Sequence, residues 1–291
     1  MDNEVSVFYP CDQDEYILKI QNGNALWYPH GMKSVEGSAN VIKSVKPGKE
    51  MYTPKRKNRW LHQIQLKMQV AMGAHPSNEF KEKKLIPVVF SHGYGASRTL
   101  HSSICRDLAS QGYIVFTLDH KDGTCCYTED KNGKGYLFTN KQDVYDFELR
   151  KKQIETRVKE VEALIDEIEN WKRMRDSLFG KSEVELDFEK LVMAGHSMGG
   201  CTSALATSKD PRIKICLTLD PWFFGPHQKV LSGQVTLKVP LQIIETEKFV
   251  NEPMHAEHNY STAQCNQALI KSSPTIDSED LILKGVHHLH Q

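Results

Sequence analysis

The segment "KLVMAGHSMGG" sets Ser197 in a G-x-S-x-G pattern, with Gly195 and Gly199 two residues to either side. A serine hydroxyl is a weak nucleophile until a base takes its proton and a third group orients that base. G-x-S-x-G supplies the backbone freedom for a sharp strand-to-helix turn that exposes such a hydroxyl. The flanks fit this use: the apolar run "KLVMA" enters the motif and the small-residue stretch "GGCTSALATS" leaves it. The same glycines could serve a purely structural turn, but a strand, a turn and a helix in this order favour a nucleophile elbow.

Such a serine needs an oxyanion hole, an acid and a histidine. One oxyanion donor is expected from the backbone N–H of the next residue, Met198, and the other from the loop after an earlier strand. "FSHGYGAS" supplies that loop, with Gly93 and Tyr94 in place for it. In the chain order Ser, acid, His, the acid is Asp220 in "ICLTLDPW" or one of Glu245 and Glu247 in "LQIIETEKF". The Pro-Trp pair after Asp220 suggests a rigid, partly buried loop, which suits an acid that orients an imidazole. The terminal "GVHHLHQ" brings His287, His288 and His290 after the last apolar run. Spacing alone leaves both the acid and the histidine open.

The elements that would position these residues can be read from periodicity. "LIPVVFSHG" and "YIVFTLDH" are short apolar runs with a helical stretch, about Thr99 to Ser110, between them. A long charged helix is expected over roughly Asp143 to Arg175, because Ile154, Val158, Val161, Ile165 and Ile168 recur at three- and four-residue spacing. A coiled coil has the same spacing, but the repeat is too short to prefer it. "KLVMAG", "IKICLTLD", "VPLQIIE" and "DLILKG" follow as further strand candidates, with helical patterns separating the first from the second and the third from the fourth. Apolar strands alternating with helices predict an α/β fold, a mainly parallel sheet covered by helices on both faces, with function at the strand C-terminal ends. Residues 1–84 are poorly patterned. A single domain over 1–291 is expected, and a chain of this length can bury a sizeable core.

Composition excludes several classes. Lys+Arg and Asp+Glu both number 37, so nothing points to nucleic acid as a partner. No run of 18 apolar residues is present, so no membrane span is expected. The acidic N-terminus lacks an apolar signal region, and Asp2 excludes myristoylation. Without a signal region the seven cysteines are expected as reduced thiols in the cytoplasm, and the lack of a C-x-x-C pair argues against a structural zinc site. His255 and His258 flank Glu257 one residue short of a zinc-protease pattern, and a helix start is the better reading. No metal and no cofactor is expected.

Three stretches together carry a more specific likeness. "VVFSHGYGASRTLHSSICRDLASQGYIVFTLDHKDGT", "AGHSMGGCTSALATSKDPRIKICLTLDPWFF" and "ILKGVHH" resemble the platelet-activating factor acetylhydrolases of the α/β-hydrolase fold, with weaker likeness at "VFYP" and "LWYPH". The resemblance implies a serine-dependent, calcium-independent hydrolase of the sn-2 acetyl, short or oxidised acyl ester of phospholipids. It assigns Ser197 as nucleophile, Asp220 as acid, His288 as base (three residues after Gly285), and Tyr94 and Met198 as oxyanion donors. Glu247 matches a family glutamate outside the triad. The resemblance also implies a further C-terminal portion, whereas this sequence stops three residues after His288. Trp222, Phe223 and Phe224 are candidate substrate contacts, or simply core. The segment 55–73, with "KRKNRW" and alternating apolar residues, is either an interfacial helix for peripheral membrane contact, as the resemblance favours, or a half-buried strand. Two alternatives stand beside this reading: a serine esterase of similar fold acting on other small or polymeric esters, and an inactive lipid-binding relative.

Overall fold

In chain order the computed structural model contains β1 (Val5–Phe8), α1 (Gln13–Asn22), α2 (Met32–Val45), β2 (Ile86–Ser91), α3 (Ser102–Ser110) and β3 (Tyr113–Leu118). A short pair, β4 (Tyr127–Glu129) and β5 (Gly135–Leu137), precedes the helices α4 (Phe147–Glu169) and α5 (Trp171–Phe179). Then come β6 (Val192–His196), α6 (Met198–Lys209), β7 (Ile215–Leu219), α7 (His227–Leu231), β8 (Leu241–Thr246), α8 (Glu247–Val250), α9 (Thr262–Ser272) and β9 (Glu279–Leu283). The structure describes residues 2–23, 25–45, 65–139, 144–180, 182–251, 259–273 and 278–288. The chain divides into two compact units, one of Met1–Pro87, Gly95–Val144 and Ala163–Asp187, the other of Val88–Tyr94, Tyr145–Glu162 and Phe188–Gln291.

The second unit holds the parallel sheet. β2 pairs with β6, β6 with β7, β7 with β8 and β8 with β9, all parallel and in register. Each return to the same edge needs a crossover, and α6 provides the one between β6 and β7, packing on both. Its first ten residues are all buried, which its small side chains allow. The strands read as continuous apolar runs because both faces are covered: every residue of β6 is buried. β9 departs from this. "DLILKG" forms the expected strand, yet Leu281, Ile282 and Leu283 are 42–52% exposed. Among the described residues it is paired along one edge only, as the last strand of this sheet.

In the first unit β1 runs antiparallel to β3, from Val5 opposite Leu118 to Phe8 opposite Val115. Glu4, just before β1, accepts from His30 Nε2 (2.7 Å), Arg98 Nη2 (3.3 Å), Thr128 Oγ1 (3.0 Å) and the N–H of Glu129 (3.0 Å). Arg98 also pairs with the fully buried Asp119. The core here includes Phe116, Trp171 and Phe179, ring against ring, with the Trp171 indole N–H donating to Val184 O.

Two sequence expectations are refined. The long helix exists, and Ile154, Val158, Val161, Ile165 and Ile168 are all buried, but it stops at Glu169 and a second helix starts at Trp171. The segment 55–73 is described only from Gln65. That part is extended rather than a continuous helix: Trp27 N donates to Leu66 O and Met68 N to Ala25 O, at 2.8 Å each. Met68 and Val70 are half-buried between exposed Gln65, Lys67 and Gln69, but Leu66 and Met72 are 47% and 61% exposed, so the expected alternation holds only at the middle of the segment. Residues 55–64 lie outside the described residues, as do His255 and His258. Among the described residues no helix is long and apolar enough to cross a membrane.

Candidate functional site

Four strand ends of the second unit converge on Ser197. β6 delivers it at φ 57°, ψ −119°, a backbone region that L-residues rarely adopt and that persists only where neighbours hold it. They do: Ser197 N donates to Leu219 O at the end of β7 (2.8 Å), and Ser197 O accepts from Trp222 N (2.9 Å) and Cys201 N (3.1 Å). The glycines of the motif are explained by space. A Cβ on Gly195 would sit 2.4 Å from Gly199 O, and one on Gly199 would sit 2.0 Å from Ser91 O. The helix therefore approaches the β2 end as closely as backbone allows.

Asp220 follows β7, also with positive φ (43°), and its N–H donates to Ile244 O of β8. Its carboxylate is fully buried yet well supplied with donors. Thr246, at the end of β8, gives both its N–H (2.5 Å) and its hydroxyl (2.8 Å). His288 Nδ1 lies 3.0 Å from Asp220 Oδ2, and His288 Nε2 lies 3.0 Å from Ser197 Oγ. A carboxylate can only accept, so Nδ1 carries the proton and Nε2 is left with a lone pair facing the serine hydroxyl.

The histidine is held from all sides. Its ring is stacked between Phe249 (centroids 4.1 Å, 10°) and His196 (4.4 Å, 30°). His196 Nε2 donates to the His288 carbonyl (3.1 Å). Glu247 Oε2 accepts from the N–H of Gly285 (2.9 Å), the positive-φ residue that turns the chain out of β9. Glu247 thus anchors the histidine turn. His287 points elsewhere, its Nε2 accepting from Lys248 Nζ at 2.8 Å. His290 lies outside the described residues.

Of the other residues singled out in the sequence, Gly93 lies against the serine: a Cβ added to it would be 3.2 Å from Ser197 Cβ. That places the loop carrying Tyr94 beside Ser197, while Met198 opens α6 immediately after it. Trp222 is half-buried and meets the Tyr94 ring edge-on at 6.2 Å. Phe224 stacks on the Trp222 ring (centroids 5.6 Å, 10°). Phe223 is wholly buried and Phe224 nearly so, the latter packed against Tyr145, Phe147 and Tyr260. The buried Tyr260 hydroxyl accepts from Phe223 N (2.8 Å). Glu245, the remaining acid of that strand end, shares the buried face of β8 with Leu241 and Ile243. Burial pushes its carboxyl up to about 8, with the Asp280 charge adding to the rise and Asn266 opposing it.

Sequence reading missed His196, Thr246 and Phe249. His196 had a signal, since it is the residue before the serine in the motif; Thr246 and Phe249 had none. His196, Asp220 and His288 also present ligand-type atoms within 4.8 Å of one another. Two of the three are engaged with each other, and His288 Nε2 faces the serine, so the geometry is that of a hydrogen-bonded relay.

A mostly parallel sheet with an elbow serine, an acid after the next strand and a histidine after the last strand defines an α/β-hydrolase fold. A solved ferulic acid esterase from Streptomyces cinnamoneus shares that fold, with a TM-score of 0.54 at 19% identity over 96% of this chain and 64% of its own. The family model described as platelet-activating factor acetylhydrolase, isoform II, matches residues 3–273, and the chain belongs to that family. It is 34% identical over 180 residues to the platelet-activating factor acetylhydrolase of Bos taurus, covering 56% of this chain and 40% of the relative. It is 29% identical over 214 residues to that of Gallus gallus, covering 62% of this chain and 48% of the relative. The chain therefore spans less than half the length of these relatives.

Proposed function

We propose that this chain acts as a single-domain serine esterase, hydrolysing the sn-2 acetyl, short or oxidised acyl ester of phospholipids without a metal or organic cofactor. The observation that carries this reading is the relay through His288, 3.0 Å from Ser197 Oγ on one side and 3.0 Å from Asp220 on the other. His288 Nε2 takes the Ser197 proton as Oγ attacks the ester carbonyl. The oxyanion is received by the N–H groups of Met198 and Tyr94, while Asp220 stabilises the imidazolium. His288 returns the proton to the departing lysophospholipid oxygen. It then activates a water that attacks the acyl-enzyme, freeing the acid and restoring Ser197. Trp222, Phe223 and Phe224 are the candidates for substrate contact, Trp222 being the half-buried one of the three. The family and the relatives' names support phospholipid as substrate. Seven free thiols, six of them buried, suit a reducing compartment, which supports a cytoplasmic enzyme working at membrane surfaces as a peripheral visitor.

The test is hydrolysis of an sn-2-acetyl phospholipid with a chelator present, alongside a long-chain phospholipid and a simple aryl ester. Turnover of the acetyl lipid, and loss of both turnover and fluorophosphonate labelling in Ser197→Ala, is expected. Exclusive turnover of the aryl ester would point to the other esterase reading. A folded wild type that neither labels nor turns over any ester would leave the inactive lipid binder.

A further inference from the structure

The apolar face of α4 is interrupted by charge. Arg150 and Arg157 are 1% and 0% exposed, and with the buried Gln153 they occupy positions i, i+3 and i+7, one stripe of the helix. Burying a guanidinium costs several kcal/mol unless its contacts return it. A helix that needed only to pack would carry leucine there. Both arginines reach the same short segment. Arg157 Nη1 donates to the backbone oxygen of His92 at 2.6 Å, and the Arg150 guanidinium lies over the Tyr94 ring, 4.7 Å from its centroid. Between the two contacts stands Gly93, the residue against Ser197.

The peptide that matters is Gly93–Tyr94, because its N–H is the proposed oxyanion donor. His92 Nδ1 donates to Gly93 O at 2.7 Å, and no peptide among the described residues is cis. In a trans peptide the C=O and N–H point to opposite sides. Holding Gly93 O from one side therefore directs the Tyr94 N–H to the other. A glycine next to a strand end would otherwise rotate freely about its own φ and ψ. Arg157 fixes the peptide before this one, and Arg150 fixes the side chain after it. The helix braces the acid loop as well, since a Cβ on Gly225 would lie 2.8 Å from Lys151 N and 3.0 Å from Arg150 C.

We propose that Arg157, with Arg150, is a positioning residue for the oxyanion hole: it locks the His92–Gly93–Tyr94 backbone so that the Tyr94 N–H meets the developing oxyanion. The proposal rests on the esterase reading above. Arginine suits the task because it stays charged when buried and its planar fork fixes direction. Loss of the brace lets the donor drift, and a misplacement of about 1 Å costs on the order of 10²-fold in rate.

The experiment compares wild type, Arg157→Met and Arg157→Lys on a short-acyl ester, and measures inhibition by an aryl boronic acid, which binds as a tetrahedral anion. Folding is checked by circular dichroism and urea unfolding. Arg157→Met should lower kcat about 10²-fold with KM changed less than about threefold. Its boronic acid inhibition constant should rise by a similar factor, and the pH profile set by His288 should not move. Arg157→Lys, which keeps a charge and a donor, should recover part of both losses, and it carries the test if Arg157→Met does not fold. A folded variant with full kcat would overturn the proposal. So would a kcat loss with unchanged boronic acid affinity, which would place the defect outside the oxyanion hole. Wild type inert toward every ester and the probe would instead overturn the esterase reading itself.

Discussion

Glu245 offers the sharpest physical test of the interior beside the site. Its side chain is 1% exposed, and burial raises its carboxyl from 4.5 to about 8. The folded state therefore holds a proton between those values that the unfolded chain releases. Stability linked to this group is highest below pH 4.5, falls as pH rises through the window, and levels off above pH 8. At 1.36 kcal/mol per unit the full loss is on the order of 5 kcal/mol, roughly 3 of it by pH 7 and less than about 1 by pH 5. Glu245→Gln keeps the shape and hydrogen-bonding character of the neutral acid and has no proton to lose. The variant should gain on wild type as pH rises, whatever constant offset the substitution brings. Urea unfolding of both proteins at pH 5, 7 and 8.5, with reversibility checked, measures the difference. The gap should widen by about 2 to 4 kcal/mol from pH 5 to pH 8.5. A gap that stays constant across that range would refute the reasoning, since Glu245 would then titrate alike in both states.

Other substitutions test other parts. Asp220→Asn presents an amide to His288 Nδ1 and favours the wrong tautomer; kcat should fall about 10³- to 10⁴-fold, measured by steady-state turnover with folding intact. Gly199→Ala puts a Cβ 2.0 Å from Ser91 O, so unfolding should be easier by about 3 kcal/mol or more, read as a lowered Tm. Glu4 shows the opposite linkage to Glu245. Burial would raise its carboxyl, but the His30 hydrogen bond, the Arg98 charge and the Glu129 N–H outweigh this and hold it at about 2. Its contribution is complete above pH 4.5 and is lost as pH falls towards 2. Glu4→Gln should cost on the order of 2 to 3 kcal/mol at pH 7 and progressively less below pH 4.5, measured by urea unfolding against wild type.

Much of the parallel sheet could be read from the sequence because buried parallel strands are uninterrupted apolar runs, and each such run ends at a turn residue. The first 84 residues hid α1 and α2. In α2 the reason is local: Gly37 sits in mid-helix, where a Cβ would lie 1.8 Å from Cys126 O. A close approach to another segment thus demanded a residue that weakens any helical pattern. The break at Asn170 was likewise invisible, since the apolar spacing runs almost to it.

At the site, the sequence by itself singled out Ser197 as the candidate nucleophile, because an elbow needs glycines at fixed offsets and those offsets are local. It also supplied the order serine, acid, histidine. What it left open was which of three acids and three histidines meet, since Asp220 and His288 are 68 residues apart and no local rule spans that distance. The tertiary structure decided this through register. Thr246 at the end of β8 turns the Asp220 carboxylate, Glu247 holds the Gly285 turn, and His288 rather than His287 falls between Phe249 and His196. The buried arginines of α4 could not be assigned from sequence for the same reason: Arg157 meets a backbone oxygen and Arg150 a tyrosine ring, both in a loop distant along the chain.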